Sequence, residues 1–343
     1  MSKEIINRYC EGRELDREEM FSLFQAILEN QLKDDEIKNF LVASSKRLPT
    51  AEELTGAAKS LRISAQQLSI KNLKNEILID TCGTGGSGLD AFNTSTVASF
   101  ILSSVGIYVV KHGNRAATSK CGSADLLTQL GAKIDLSPNQ ASDCLERAKF
   151  TFLFAPHYHL ATRRVQLLRR ELGIKTIFNY LGPLSNPANP PFQLLGVSNQ
   201  LLLRPVAEAL ANLGLKKALV VCGEDGLDEI TLTSKTNCLI LDKGKISQYV
   251  IDPVSLGLPL ADPEEIKGST PDVSVQYLFD ILENKPSARA NLVKLNAAAG
   301  FWIVGKCSNL EQGLVLAEKQ LANGEALASL SLYLEISKSY EQG

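Results

Sequence analysis

Apolar residues keep helical spacing through the first 68 positions and do not alternate there as strands do. Asp16 with Glu19 three residues later reads as a capping box, and Met20, Leu23, Phe24, Ile27 and Leu28 then recur at three- and four-residue steps. Asp34 and Asp35 open a second helix carrying Ile37, Phe40 and Leu41. Thr50 with Glu53 opens a third, carrying Leu54, Ala57, Ala58 and Leu61. The charges between these positions read as a solvated face.

From Glu76 the period changes. Short β-type runs at 76–80, 106–111, 133–136 and 150–155 alternate with helical patterns from 94, around 122–130, over 138–148 and over 157–174. Further strands are expected at Leu194–Val197 and Lys217–Cys222, then a hairpin about Asp242-Lys-Gly-Lys245. From about 273 the chain reads as helical. The prolines and Gly182 of 179–191 rule out a long regular element there. Strand–helix alternation of this kind predicts a mostly parallel sheet, and so an α/β fold behind a small helical unit. In such sheets ligands lie beyond the carboxyl ends of the strands.

Composition narrows the class without naming a function. The 343 residues allow two domains, with 44% hydrophobic and 22% charged positions, as in ordinary globular proteins. A net charge of -2, from 36 basic and 38 acidic residues, argues against a nucleic-acid partner. The 7 cysteines form no Cys-x-x-Cys pair, which argues against a disulfide framework and a zinc site and suits a reducing cytoplasm. The charged start does not read as a signal peptide, and no apolar run approaches the ~20 residues that span a bilayer, so neither a leader nor a membrane partner is expected.

Candidate chemistry gathers between Asp80 and Asp125. Gly83, Gly85, Gly86 and Gly88 follow the apolar run Ile77-Leu-Ile79, and Asn93, Ser95 and Thr96 then open a helix. Strand, glycine loop and bare helix N-terminus make an anion site. Gly83-x-Gly85-x-x-Gly88 matches the dinucleotide fingerprint, but the next strand ends in Lys111 and His112 rather than the acidic residue a ribose diol requires. Lys111-His-Gly-Asn-Arg115, with Ser119 and Ser123, supplies cation, amide and hydroxyls suited to a diphosphate. Asp228-Glu229 beside it suits Mg²⁺, with Glu224 and Asp225 as competitors. His157 and His159 lack an obvious third metal ligand, and Arg169 suits a substrate carboxylate.

Read together, these motifs resemble the anthranilate phosphoribosyltransferase family. The resemblance spans nearly the whole chain: Gly-Thr-Gly-Gly, Asn-x-Ser-Thr, Lys-His-Gly-Asn-Arg, Arg-x-Glu-Leu-Gly-x-x-Thr-x-Phe-Asn, Leu-Gly-Pro-Leu-x-Asn-Pro and Asp-Gly-Leu-Asp-Glu, in order. It implies a helical domain over 1–70, with a contribution from about 157–190, packed on an α/β domain over 71–343. It also implies a homodimer that uses Mg²⁺ in tryptophan biosynthesis. Carried over, Gly83, Gly86, Ser87, Asn93, Ser95, Thr96, Lys111, Ser119 and Ser123 would hold phosphoribosyl pyrophosphate. Gly83, His112, Asn114, His159, Arg169, Gly182 and Pro183 would meet anthranilate. Ser95, Asp228 and Glu229 would serve the metal, with Lys111, Asp228 and Glu229 carrying catalysis.

The chain departs from the family pattern at Ser87, where an acid is usual, at Ala91, where a hydroxyl is usual, and at Leu160-Ala-Thr162 after His159. Three other readings stay open on the residues: a nucleoside phosphorylase of similar architecture, phosphoribosyl transfer to another aromatic acid, and a weakly active relative that binds nucleic acid.

Overall fold

A computed structural model describes residues 2–70, 73, 76–89, 91–116 and 119–340. The expected boundary at 70/71 falls beside residues 71, 72, 74 and 75, which lie outside the described residues. Four helices come first: α1 (Ser2–Cys10), α2 (Arg17–Leu28), α3 (Asp34–Ser44) and α4 (Ala51–Ser64). Both expected capping boxes form. Asp16 accepts from the Glu19 N–H at 2.9 Å, and Thr50 accepts from the Glu53 N–H at 3.2 Å.

The solvated-face reading fails at Glu53, which is fully buried. Its carboxylate accepts the Leu15 and Thr50 N–H groups, each at 3.0 Å, and pairs with Arg47. A buried charge persists only when paired and hydrogen-bonded, and here it also ties the entry to α2 onto α4.

The larger unit contains, in order, β1 (Leu78–Gly83), α5 (Thr94–Ser103), β2 (Tyr108–Gly113), α6 (Ser123–Gln129), α7 (Pro138–Ala148), β3 (Phe150–Phe154), α8 (Ala155–Tyr158), α9 (Arg163–Leu172), α10 (Phe178–Leu181), β4 (Phe192–Gly196), α11 (Leu203–Asn212) and β5 (Lys217–Gly223). There follow β6 (Thr236–Asp242), β7 (Lys245–Ile251), α12 (Pro271–Leu282), α13 (Ala288–Ile303), α14 (Leu310–Ala322) and α15 (Glu325–Ser339). The seven strands form one sheet in the order β3-β2-β1-β4-β5-β6-β7. The first five are mutually parallel; β6 and β7 add an antiparallel edge, with the predicted hairpin closing at Asp242↔Lys245.

Two predicted elements differ. Residues 133–136 form no strand. Ala132, Ile134 and Leu136 are buried at alternate positions, which imitates a strand, but the segment only joins α6 to α7 and pairs with nothing in the sheet. The helix expected over 157–174 is broken at His159 (φ −110, ψ 57) by a 3-10 turn, Leu160–Thr162, and ends at Gly173 in the left-handed conformation.

Alternate residues of each strand face opposite layers. Leu194, Leu219 and Val221 join a core with Leu292, Leu295 and Ala299 of α13. Leu195, Val220 and Cys222 join one with α11 and the N-terminal helices, which also takes Val165 and Leu168 of α9 and Leu181 of α10. Arg164 reinforces that contact by donating to Asp34 at 2.7 Å and to the Leu32 carbonyl at 2.9 Å. Thus α9 and α10 are held against the N-terminal helices while their connections run to the ends of β3 and β4.

Candidate active site

Sheet order reverses at β1: β2 and β3 lie to one side, β4 and β5 to the other. The crevice beyond the strand ends at such a switch is the expected ligand position. Gly83 and Gly196 are register partners there. A Cβ on Gly83 would overlap the Asp228 carboxylate, and one on Gly196 would overlap the Asp228 carbonyl. Two glycines side by side thus admit Asp228 to the crevice floor. Asp228 Oδ2 then accepts the Gly85 N–H at 2.7 Å. Gly85 and Gly86 have φ of 67° and 76°, in the left-handed region that favours glycine. Ser87 Oγ is turned into its own loop, 3.3 Å from the Leu89 nitrogen.

The second expected component is the start of α5. Asn93 precedes it but does not cap it with its side chain; its Nδ2 donates to the Cys121 carbonyl at 3.1 Å and joins the two loops. The Ser95 N–H donates to Glu229 Oε1 at 3.3 Å. Thr96 is buried and its hydroxyl has no partner. Lys111 belongs to strand β2 rather than to the loop after it, and it is buried. Its ammonium donates to the Thr81 carbonyl at 2.5 Å and to Ser95 Oγ at 2.9 Å.

Electrostatics mark this corner as unsatisfied. Burial pushes the Asp80 and Asp228 carboxyls up and the Lys111 ammonium down, with Asp80 beside Lys111 opposing both trends. Burial carries Glu229 up to about 8, and its Oε2 is sealed from solvent without a partner. Among the described residues no three His, Cys, Asp or Glu side chains meet as a metal site. The donor set that remains, two carboxylates and the Ser95 hydroxyl, suits a hard cation completed by phosphate oxygens. The orphaned Glu229 oxygen fits that role. Asp225, a competitor by sequence, is used up by the Leu227 N–H and the Thr231 and Thr233 hydroxyls. Glu224 is exposed.

The loop after β2 divides its polar groups. Arg115 pairs with Asp125 at 3.0 Å, and Asp125 also accepts the Ala116 and Gly122 N–H groups. Ser123 opens α6 and donates to the Asn114 carbonyl at 3.4 Å. Ser119 lies between them; neighbours 117 and 118, like Asp90 of the glycine loop, fall outside the described residues.

Beside the crevice, a cavity of about 110 Å³ is lined by His112, Asn114, His159, Arg169, Phe178 and Gly182, among others. Gly83 and Pro183, expected beside the aromatic substrate, do not line it. Gly83 faces Asp228, and Pro183 is buried with its carbonyl accepting from Gln193 at 2.7 Å. His112 Nδ1 lies 3.0 Å from the Gly182 carbonyl, an acceptor only, so that nitrogen carries the proton. Its Nε2 is then a lone-pair acceptor without a protein partner, as is that of His159 across a 5.1 Å centroid gap. Burial lowers His112 to about 3 and His159 to about 4, so both rings are neutral near pH 7. Arg169 donates to Asn179 at 3.0 Å and lies over the Phe178 ring, leaving Nε unpartnered. His157 stands apart against Tyr158.

The helical bundle domain of a glycosyl transferase family matches residues 3–65, and the a/b domain of that family matches residues 75–327. The anthranilate phosphoribosyltransferase of Persephonella marina is 42% identical over 98% of this chain and 99% of its own length. The chain belongs to the anthranilate phosphoribosyltransferase family. A second family member, the crystal structure from Thermus thermophilus, superposes with a TM-score of 0.90 at 36% identity, over 97% of this chain and 99% of that one. The Saccharomyces cerevisiae enzyme in complex with PRPP and Mg is 24% identical, with a TM-score of 0.87 over 97% and 98% of the two chains, and shares the fold.

Sequence reasoning missed several residues of this family member's site. Gly196 is a single glycine ending a strand, and that position is the only signal it offered. Asn186, within the Asn-Pro loop, donates to Asp80 Oδ2 at 2.9 Å and to the Val110 carbonyl at 2.8 Å, docking the loop across β1 and β2. Lys175 donates to the Gly86 carbonyl at 2.7 Å, and nothing in its sequence surroundings marks it.

Proposed function

We propose that this chain transfers the phosphoribosyl group of phosphoribosyl pyrophosphate to the amine of anthranilate, a step of tryptophan biosynthesis. One observation carries the reading: the glycine loop with Asp228 and Glu229 opens beside a cavity holding one guanidinium and two neutral imidazoles. A diphosphate suits the first site. A small aromatic acid with an amine suits the second, its carboxylate meeting Arg169 and its N–H groups meeting bare imidazole nitrogens. A pyrimidine nucleoside gives Arg169 no carboxylate to bind, which disfavours the phosphorylase reading.

The amine nitrogen attacks the anomeric carbon, the carbon–oxygen bond to the diphosphate breaks, and the nitrogen gives up a proton. The chain's part is to hold the two reactants at the right distance and to stabilise the leaving group. Lys111, fixed on Ser95 near the start of α5, brings positive charge beneath the diphosphate position. His112 Nε2 is placed to accept an amine hydrogen. Ser95, Asp228 and Glu229 would hold Mg²⁺, whose charge offsets that building on the departing diphosphate.

We further read the chain as a cytoplasmic homodimer. Seven free cysteines suit a reducing compartment, and Val42 and Leu167, exposed on α3 and α9, offer apolar surface for a partner copy. Among the described residues no helix is long and apolar enough to cross a membrane.

The test is anthranilate fluorescence in the presence of the donor and Mg²⁺. Loss of that fluorescence, with one pyrophosphate released per anthranilate consumed, is expected. Unchanged fluorescence with another amino-substituted aromatic acid consumed instead would move the acceptor assignment.

A further inference from the structure

Lys175 lies on an exposed turn between Gly173, which ends α9, and the buried Thr176 and Ile177. Its ammonium reaches out of the helical layer to the glycine loop, donating to the Gly86 carbonyl. Gly86 leaves room for it: a Cβ there would stand 3.1 Å from Lys175 Nζ and 3.4 Å from Cε. The ammonium also pulls the Asp228 carboxyl down against its burial.

The turn is rigidly held from behind. The Ile177 N–H donates to Ser44 Oγ of α3 at 3.3 Å. Asn179 Oδ1 accepts both the Thr176 N–H at 2.9 Å and Arg169 Nη2 at 3.0 Å. One short segment therefore fixes the guanidinium of the acceptor cavity and sets a cation over the donor loop. A lysine ammonium has three N–H donors, and the Gly86 carbonyl takes one.

We propose that Lys175 is a donor-binding latch: it holds the glycine loop against the segment that carries Arg169 and turns its remaining N–H groups to the diphosphate. This rests on the transfer reaction proposed above. A loop rich in glycine has many conformations to lose on binding, and a fixed carbonyl removes part of that cost before the donor arrives.

The experiment compares the full chain with Lys175→Ala and Lys175→Arg. Calorimetry reads phosphoribosyl pyrophosphate binding with Mg²⁺, steady-state assays read both KM values, and a thermal melt reads folding. Lys175→Ala should weaken donor binding and raise donor KM by about tenfold, as expected for a lost charge-assisted contact. Its anthranilate KM and melting temperature should stay close to the parent's, and Lys175→Arg should restore most of the donor affinity. Donor binding unchanged in Lys175→Ala overturns the proposal. So does a loss that follows a lowered melting temperature and is not rescued by arginine. Donor binding that depends on Lys175 in a chain that leaves anthranilate untouched supports the latch while refuting the acceptor.

Discussion

Glu229 shows most clearly how one residue's surroundings set its task. Its carboxyl sits at about 8 because burial, reinforced by Asp228, outweighs the help of the Thr94 hydroxyl, the Ser95 N–H and Lys111. Between the ordinary carboxylate range and about 8 the folded chain keeps a proton that the unfolded chain releases. This group's contribution to stability is therefore present in acid and is lost as pH rises through 8. Glu229→Gln should melt with the parent at pH 5 and above it at pH 8.5 in the absence of metal, and should bind the donor with Mg²⁺ at least tenfold more weakly. Melting curves that stay parallel across that range would show that the carboxyl is not held protonated. The individual residues were legible in the sequence wherever the chemistry is carried by a local run: Ser95, Lys111 and the acidic pair stand in motifs whose composition suits phosphate and a divalent cation. The burial of Glu53 and the reach of Lys175 were not legible, because Leu15 and Gly86, the partners that reveal them, are distant along the chain.

At the scale of elements, the decisive device is the pair of strand ends at Gly83 and Gly196. Their missing side chains let the backbone of Asp228 settle on the carboxyl ends of β1 and β4. Gly196→Ala would force that backbone away, a packing conflict of ~1–3 kcal/mol. A lower melting temperature is expected, together with a rise in donor KM larger than the rise in anthranilate KM. Equal effects on both substrates would separate Gly196 from the donor side. The strand pattern announced β1 through β5, since buried parallel strands are short apolar runs. It also announced a strand at 133–136 that does not exist. Alternating burial of Ala132, Ile134 and Leu136 satisfies the same period in a connecting segment, and only pairing distinguishes the two. The predicted helix over 157–174 is interrupted at His159, whose backbone leaves helical geometry and whose buried imidazole stands at the cavity wall.

For the molecule as a whole, the reversal of sheet order at β1 brings together a loop at 83–89, a lysine at 111, a cavity wall at 159–182 and an acidic turn at 228–229. No local pattern encodes that assembly; it follows from the connections that carry the chain from β3 through α9 and α10 to β4. On the proposed reading, the diphosphate of the donor lies between the glycine loop and the Lys111–Ser95 contact, with the divalent ion on Asp228 and Glu229. A crystal structure with phosphoribosyl pyrophosphate and Mn²⁺, located by its anomalous signal, tests this most directly. The metal peak is expected on the Asp228 and Glu229 carboxylates, and the diphosphate against the glycine loop and the start of α5. A donor bound elsewhere, or a metal away from both carboxylates, would contradict it.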